Sequence, residues 1–263
     1  MKQRIITAVI AAAVFLPIVI YGKLPFVAFI YFLATVGLFE AMRMKRMSMA
    51  SVPGVLSLLL LWFLMIPSNM FEADSLILSK MDFILLIALL LLSYTVLSKN
   101  RFTFDDVGFL LISTIYVGLG FYYFIEIREL ALAFVFFALF VIWTTDSGAY
   151  FIGKSMGKTK LWPEISPNKT VEGSLGGVIC AIVVALIFHF VVDFDHSLFI
   201  TIIIASLLSV FGQIGDLVES ALKRHYKIKD SGSILPGHGG ILDRFDSLLF
   251  VLPLLHFIHI FLF

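Results

Sequence analysis

Ser220-Ala-Leu-Lys223-Arg224-His-Tyr-Lys227-Ile-Lys229-Asp230-Ser-Gly232-Ser-Ile-Leu-Pro236-Gly237-His238-Gly239-Gly240-Ile-Leu-Asp243-Arg244-Phe-Asp246 is a polar island between two apolar runs. Five cations, three carboxylates and four glycines crowd into it. The flanks, about 197–219 and 247–263, have the length of helices that cross a bilayer core, for which roughly 17–25 apolar residues suffice. Similar runs recur toward the N-terminus. Nine spans are expected, at about 5–21, 24–40, 52–66, 82–97, 107–125, 130–150, 173–192, 197–219 and 247–263, with boundaries good to about two to four residues.

Composition points the same way. The 263 residues are 60% hydrophobic and only 14% charged, with mean hydropathy +1.05. Soluble domains run nearer half apolar and about a quarter charged. The fold class is therefore all-α, a polytopic integral membrane protein. It divides on the sequence into an N-terminal region, 1–129, of about five helices and a C-terminal region, 130–263, of about four helices with cytoplasmic loops 153–172 and 220–246. No soluble domain is attached, so function is expected in the membrane or at its surface. The single cysteine, Cys180, lies in an apolar run and rules out disulfides and thiolate metal sites within one chain. Lys2-Gln-Arg4 before the first run resembles the start of a signal peptide, but many spans follow and no clear cleavage site does, which favours a retained helix.

Charge placement sets the orientation. With nine spans, one side receives 16 of the 19 Lys and Arg, and the other keeps only Lys23, Lys80 and Arg128. Cytoplasmic loops carry the excess of basic residues, so the N-terminus is expected in the cytoplasm and the C-terminus outside. Eight or ten spans are the competing count. The Met- and Arg-rich loop 40–51 reads as an anchor to anionic headgroups. The outer connections, Pro67-Ser-Asn, Glu126 to Glu129 and Asp193 to His196, contain little chemistry.

An ionisable group in a span costs at least about 2.5–3.5 kcal/mol at the bilayer centre, so each one asks for a function. Asp146 lies in an apolar segment after Trp143-Thr144-Thr145 and before Ser147-Gly148. Its competing reading is a carboxylate at a helix end, hydrated by the headgroups. Gln213, Asp216, Ser220 and Lys223 follow helical i, i+3, i+4 spacing and share one face of the eighth span. That stripe leads toward the glycine-rich island, or else seals one helix against another. Asp243 and Asp246 stand three apart at the start of the last span, beside Arg244, where a helix dipole would favour one acid but not a converging set. If Asp146, Asp216, Asp243 and Asp246 meet, each pair at about 4 Å repels by roughly 4 kcal/mol at an effective dielectric of 20. Such a cluster needs cations, and oxygen ligands alone select a hard ion such as Mg²⁺. His238 is a weak metal candidate and a better phosphate donor or packing residue.

The other half of the chemistry is anionic. Lys154, Lys158, Lys160, Lys169, Lys223, Arg224, Lys227, Lys229 and Arg244 fall on the same expected side as the acids. Pro236-Gly-His-Gly-Gly240 offers backbone N–H groups that can approach a phosphate closely, because glycine lacks a Cβ. Ser166-Pro-Asn168-Lys169-Thr170-Val-Glu172-Gly173 forms a second polar turn, with Thr170 or Asn168 placed to cap the seventh span. Acids suited to magnesium, cations and pliable backbone at a membrane surface point to nucleotide or phosphate-transfer chemistry. Gly148-Ala-Tyr-Phe-Ile-Gly153-Lys154-Ser155 matches G-x-x-x-x-G-K-S, but its interior continues an apolar span and no strand precedes it, so it is not expected to act as a phosphate loop.

The island resembles the phosphatidate cytidylyltransferase (CDP-diacylglycerol synthase) family, bacterial type. Ser220, Lys223, Arg224, Lys229, Asp230, Pro236, His238, Gly239, Gly240, Asp243, Arg244 and Asp246 meet every fixed position of its signature. Thr145-Asp146-Ser147-Gly148-Ala149-Tyr150 and Ser166-Pro167-Asn168-Lys169-Thr170-x-Glu172-Gly173 also look like family segments, with Asn168 standing where many members carry Lys. The resemblance covers the C-terminal half; the first five spans match only in hydropathy.

The resemblance implies transfer of the cytidylyl group of CTP to phosphatidate at the cytoplasmic face of the inner (cytoplasmic) membrane. It implies Asp146, Asp216, Asp243 and Asp246 around Mg²⁺, with more than one divalent ion and a monovalent cation left open. Lys223 and Arg244 join those acids as catalytic candidates. Asn168, Lys169, Thr170, Glu172, Ser220, Arg224, Lys229, His238, Gly239 and Gly240 are the substrate-binding candidates. A homodimer in the lipid bilayer is implied and no nucleic acid. The rival enzymes are a CTP-dependent polyprenol kinase and an ether-lipid cytidylyltransferase. From another class, an ion or phosphate transporter requires polar access from both sides, which the charge-poor outer half does not offer.

Overall fold

The computed structural model describes residues 2–67, 79–192 and 197–262. The expected outer connections at Ser68-Asn69 and at 193–196 lie outside these residues. Among the described residues the order is α1 (Lys2–Tyr21), α2 (Lys23–Met44), α3 (Val52–Leu64), α4 (Lys80–Leu97), α5 (Phe104–Leu130), α6 (Leu132–Met156), β1 (Lys160–Trp162), β2 (Ser166–Thr170), α7 (Val171–Val191), α8 (Leu198–His225) and α9 (Leu242–Leu262). Several helices begin where a hydroxyl can take up an orphan N–H. Ser51 caps α3 through Gly54, Thr170 caps α7 through Gly173, and Ser197 caps α8 through Ile200. Ser79 and Asp82 form a reciprocal capping box on α4. At the far end of α8, Lys227 takes a left-handed φ of 56°, and Ile228 N–H bonds back to the Lys223 carbonyl, which ends the helix as a Schellman turn.

Among the described residues, six helices are long and apolar enough to cross a membrane: α2, α4, α5, α6, α7 and α8. This is a multi-pass membrane protein. The expected span at 52–66 corresponds to α3, whose 13 residues rise only about 20 Å at 1.5 Å each, short of a core roughly 30 Å thick. Lipid-facing surfaces carry bare apolar side chains; Phe190 near the end of α7 is 80% exposed.

The chain divides into two compact units, the first formed by residues 1–126 and 230–242, the second by 127–229 and 243–263. In the first unit, Phe26 of α2 packs edge-on against Phe124 of α5 at 5.4 Å between ring centroids, and Phe63 of α3 stacks on Phe83 of α4 at 4.1 Å. Lys45, just past α2, pairs with Asp106 at 2.5 Å and donates to the Asp105 carbonyl, tying that corner to the start of α5.

In the second unit, α6 and α7 approach until backbone meets backbone, as small residues allow between membrane helices. A Cβ on Gly177 would lie 2.9 Å from the Thr145 carbonyl oxygen, and one on Gly173 would lie 2.7 Å from that of Ala149. Thr145 also donates to Ser209 of α8 at 2.8 Å, a fully buried hydroxyl pair. On α8, a Cβ on Gly215 would lie 2.7 Å from the Asp246 carbonyl of α9. Between α6 and α7, the segment expected as a cytoplasmic loop with a polar turn contains strands. Residues 160–170 form an antiparallel hairpin, with Lys160 opposite Thr170 and Trp162 opposite Ser166. Ser-Pro-Asn-Lys-Thr has none of the β-branched alternation that marks a strand, and Ser166–Thr170 is a strand because it can pair locally with Lys160–Trp162. Gly148–Ser155 is helical throughout, so its phosphate-loop lettering carries no loop.

Gly177→Ala should lower the melting temperature of the purified protein, since overpacking typically costs about 1–3 kcal/mol. Gly108→Ala on α5, where a Cβ would meet nothing within 4 Å, should leave it unchanged or raise it. Equal melting temperatures for the two variants would contradict the close approach of α6 and α7.

Candidate active site

The polar face of α8 is where the second unit's charges gather. Asp216 is the pivot: its Oδ2 pairs with Lys169 Nζ of β2 at 2.6 Å, and its Oδ1 accepts from Ser220 Oγ one turn later at 3.2 Å. Gln213, one turn earlier, donates to the Ser174 carbonyl of α7. Asp146 of α6 feels the like charge of Asp216 and the opposite charges of Lys169 and Arg244. Asp246 of α9 feels both Asp216 and Asp146, and Lys223 against them. Three of the four expected acids thus lie within electrostatic reach of one another.

The fourth is held differently. Lys223 inserts between Asp243, at 2.6 Å, and Glu219, with which it forms a contact ion pair one turn along α8. All three side chains are largely withdrawn from solvent, and Glu219 is only 2% exposed. Breaking such a buried set by removing one partner is costly, because a charge is left without an answer.

Beside Asp146 and Asp216 opens a cavity of about 600 Å³, lined also by Lys154, Lys160, Asn168, Lys169 and Thr170. Its size falls within the roughly 300–1,000 Å³ common for small-molecule sites. Two carboxylates and three ammonium groups around one cavity suit a ligand that is anionic and accompanied by a cation. Among the described residues, no three of His, Cys, Asp and Glu stand together as a ready-made metal site. Mg²⁺ does not need one: it keeps several waters and is usually bound through one or two carboxylates plus substrate phosphates. Asp146 and Asp216 fit that donor pattern.

Several expected substrate residues have other work. Glu172 accepts backbone N–H bonds from Lys158 and Thr159 at 3.1–3.2 Å, and this closes the base of the hairpin onto the start of α7. Thr170 is spent on the α7 cap, while Asn168 and Lys169 face the cavity. Arg224 Nε donates to the Ile165 carbonyl in the hairpin turn at 3.2 Å. Lys229 and Arg244 are exposed. His238, Gly239 and Gly240 belong to the first unit. There, Leu235-Pro236-Gly237-His238 makes a type II turn, closed by His238 N–H on the Leu235 carbonyl, and Gly237 supplies the φ of 79° that the turn requires.

Glu219 escaped the sequence reading, although its i, i+4 spacing to Lys223 was a legible ion-pair signal. Glu40 of α2 escaped it too; as an acid at the end of an apolar run, it met the same criterion that singled out Asp146.

Comparison with known proteins identifies the family. The profile of the cytidylyltransferase family matches residues 2–262. The phosphatidate cytidylyltransferase of Bacillus subtilis (strain 168) is 60% identical over 263 residues, covering 98% of this chain and 97% of its own. Those of Staphylococcus haemolyticus (strain JCSC1435) and Staphylococcus saprophyticus are 50% and 52% identical, each covering 97% of this chain and 98% of their own. The chain belongs to the cytidylyltransferase family.

Proposed function

We propose that this chain transfers the cytidylyl group of CTP to phosphatidate, giving CDP-diacylglycerol and pyrophosphate. The observation that carries the reading is the cavity where Asp146 and Asp216 face Lys154, Lys160 and Lys169. Relatives at 50–60% identity over nearly the whole chain bear the matching name. In this reaction a phosphate oxygen of the lipid attacks the α-phosphorus of CTP. A new P–O bond forms as the bond to the β-phosphate bridging oxygen breaks, and pyrophosphate leaves. The lipid phosphate is already a nucleophile, so no serine or cysteine intermediate is required.

Asp146 and Asp216 would hold magnesium, one ion or more, with Asp246 close by and Asp243 steadied by Lys223. Bound there, the metal would neutralise charge building on the leaving pyrophosphate. Lys169 answers Asp216 in the resting chain, and the same ammonium would receive a CTP phosphate. Lys154 and Lys160 extend that cationic wall, Asn168 adds a neutral donor, and Ser220 keeps Asp216 oriented. Glu172, Thr170 and Arg224 hold the hairpin that presents Lys169. Arg244 is within electrostatic reach of Asp146, and Lys229, His238, Gly239 and Gly240 would be further substrate-binding residues. On this reading the chemistry belongs to 130–263.

The same reading sets the chain in the inner membrane with nine spans, a cytoplasmic N-terminus, a cytoplasmic active site and a homodimeric assembly. The 16 basic residues assigned to one side support the orientation. The acyl tails would remain in lipid while the phosphate enters the polar face.

Purified protein given phosphatidate, Mg²⁺ and α-labelled CTP should put label into lipid and release pyrophosphate. Asp216→Asn should reduce that rate by about 100-fold or more while the melting temperature holds, the scale expected when a group acting on transition-state charge is removed. Labelled CDP without labelled lipid would instead indicate a lipid kinase. For the orientation, single cysteines replacing Arg101 and Arg128 are treated in intact cells with a membrane-impermeant thiol reagent. Labelling at 128 and protection at 101 are expected; the reverse pattern would overturn the assignment.

A further inference from the structure

Glu40 lies near the C-terminal end of α2, in an otherwise apolar helix, and is 2% exposed. Its carboxylate gathers donors from both arms of the glycine turn in the first unit. Oε2 accepts Ser231 Oγ at 3.1 Å and Leu242 N–H at 3.0 Å, and Oε1 accepts Ile241 N–H at 3.0 Å. The fit leaves no room around it: a Cβ on either Gly232 or Gly240 would collide with the Glu40 carboxylate. Both arms of the segment 231–242 therefore close on one side chain.

The choice of cap is informative. Helices α3, α4, α7 and α8 are capped by the residue immediately before them. The N–H groups of Ile241, just before α9, and of Leu242, its first residue, are answered from 201 and 202 positions away. A local N-cap hydroxyl serves the N2 or N3 N–H instead and would leave these two donors unanswered. A distant carboxylate adds something a local cap cannot, because it fixes where the turn lies against α2. Carboxylate bonds to backbone N–H are charge-assisted and about twice as strong as neutral ones. His238, Gly239 and Gly240 ride on the segment so held, and Asp243 follows Leu242 directly in the chain.

We infer that Glu40 is a positioning residue for nucleotide transfer, its carboxylate holding the 231–242 turn in the shape that receives substrate. This rests on the cytidylyl-transfer reading and assigns it a residue outside the signature.

The test uses full-length protein in detergent, with Glu40→Gln as the main variant. Gln keeps the size, but it turns an NH₂ donor toward groups that are themselves donors. Hydrogen exchange over 231–242 should accelerate in Glu40→Gln, and the KM for CTP should rise by about tenfold or more, as expected for loss of a hydrogen bond to a charged group. kcat should fall less than KM rises. Ser231→Ala, which removes one donor of the three, should show the same split at about two- to threefold and covers the case in which Glu40→Gln does not fold. Unchanged exchange over 231–242 would overturn the inference, as would unchanged KM despite faster exchange. A loss of kcat alone that tracks the melting temperature would reduce Glu40 to a structural role. Wild-type protein that labels no lipid would sink the transfer reading, and the exchange comparison would still decide the clamp.

Discussion

A carboxylate carried on a helix of this hydropathy must be answered by a cation or by donors, and the way each acid is answered divides the molecule's polar groups by role. Asp216 is answered by Lys169 from the hairpin at 2.6 Å, beside a cavity large enough for a small ligand. That pair can exchange partners when an anion and its counter-cation arrive. Asp243 and Glu219 share Lys223 in a largely buried set, which fixes α8 against the start of α9 within the second unit. Glu40 is answered by backbone N–H groups, which cannot leave. Exchangeable partners suit chemistry, and fixed ones suit position.

Close helix approach supplies the second constraint. Gly148 and Gly153, which spell a phosphate loop in the sequence, face α7: a Cβ on Gly148 would meet the Gly176 carbonyl at 3.1 Å, and one on Gly153 would meet Thr170 Oγ1 at 2.9 Å. They are packing glycines of two membrane helices, the use that small residues commonly have in a bilayer. Because α6 and α7 meet so closely, the short hairpin joining them keeps Lys169 beside the acid-bearing faces of α6 and α8. The lettering that suggested phosphate binding contributes to it only indirectly.

Most of the helical architecture was legible because long apolar runs specify both element type and environment, and Asp146 and Asp216 stood out against them. The signature acids were legible for the same reason. What could not be read depends on distance along the chain or on local pairing. The hairpin at 160–170 is polar and made by mutual pairing, with no periodicity to mark it. The work of Glu172 and Arg224 is defined by backbone groups of that hairpin, Lys158, Thr159 and Ile165, which no side-chain pattern announces. The partners of Glu40 lie some 200 residues away. The apolar run around α3 was legible, but not that its helix stops at Leu64 after 13 residues.

On the proposed reading, the cavity bounded by Asp146, Asp216 and Lys169 receives the nucleotide with its metal. The most direct measurement replaces Asn168, on the cavity wall, with the only cysteine of a Cys180→Ser protein and follows its modification rate by a maleimide in detergent. CTP with Mg²⁺ should slow modification severalfold, and a chelator or Asp216→Asn should restore the free rate. A modification rate indifferent to CTP and Mg²⁺, in protein that still turns CTP over, would place the nucleotide elsewhere and contradict it.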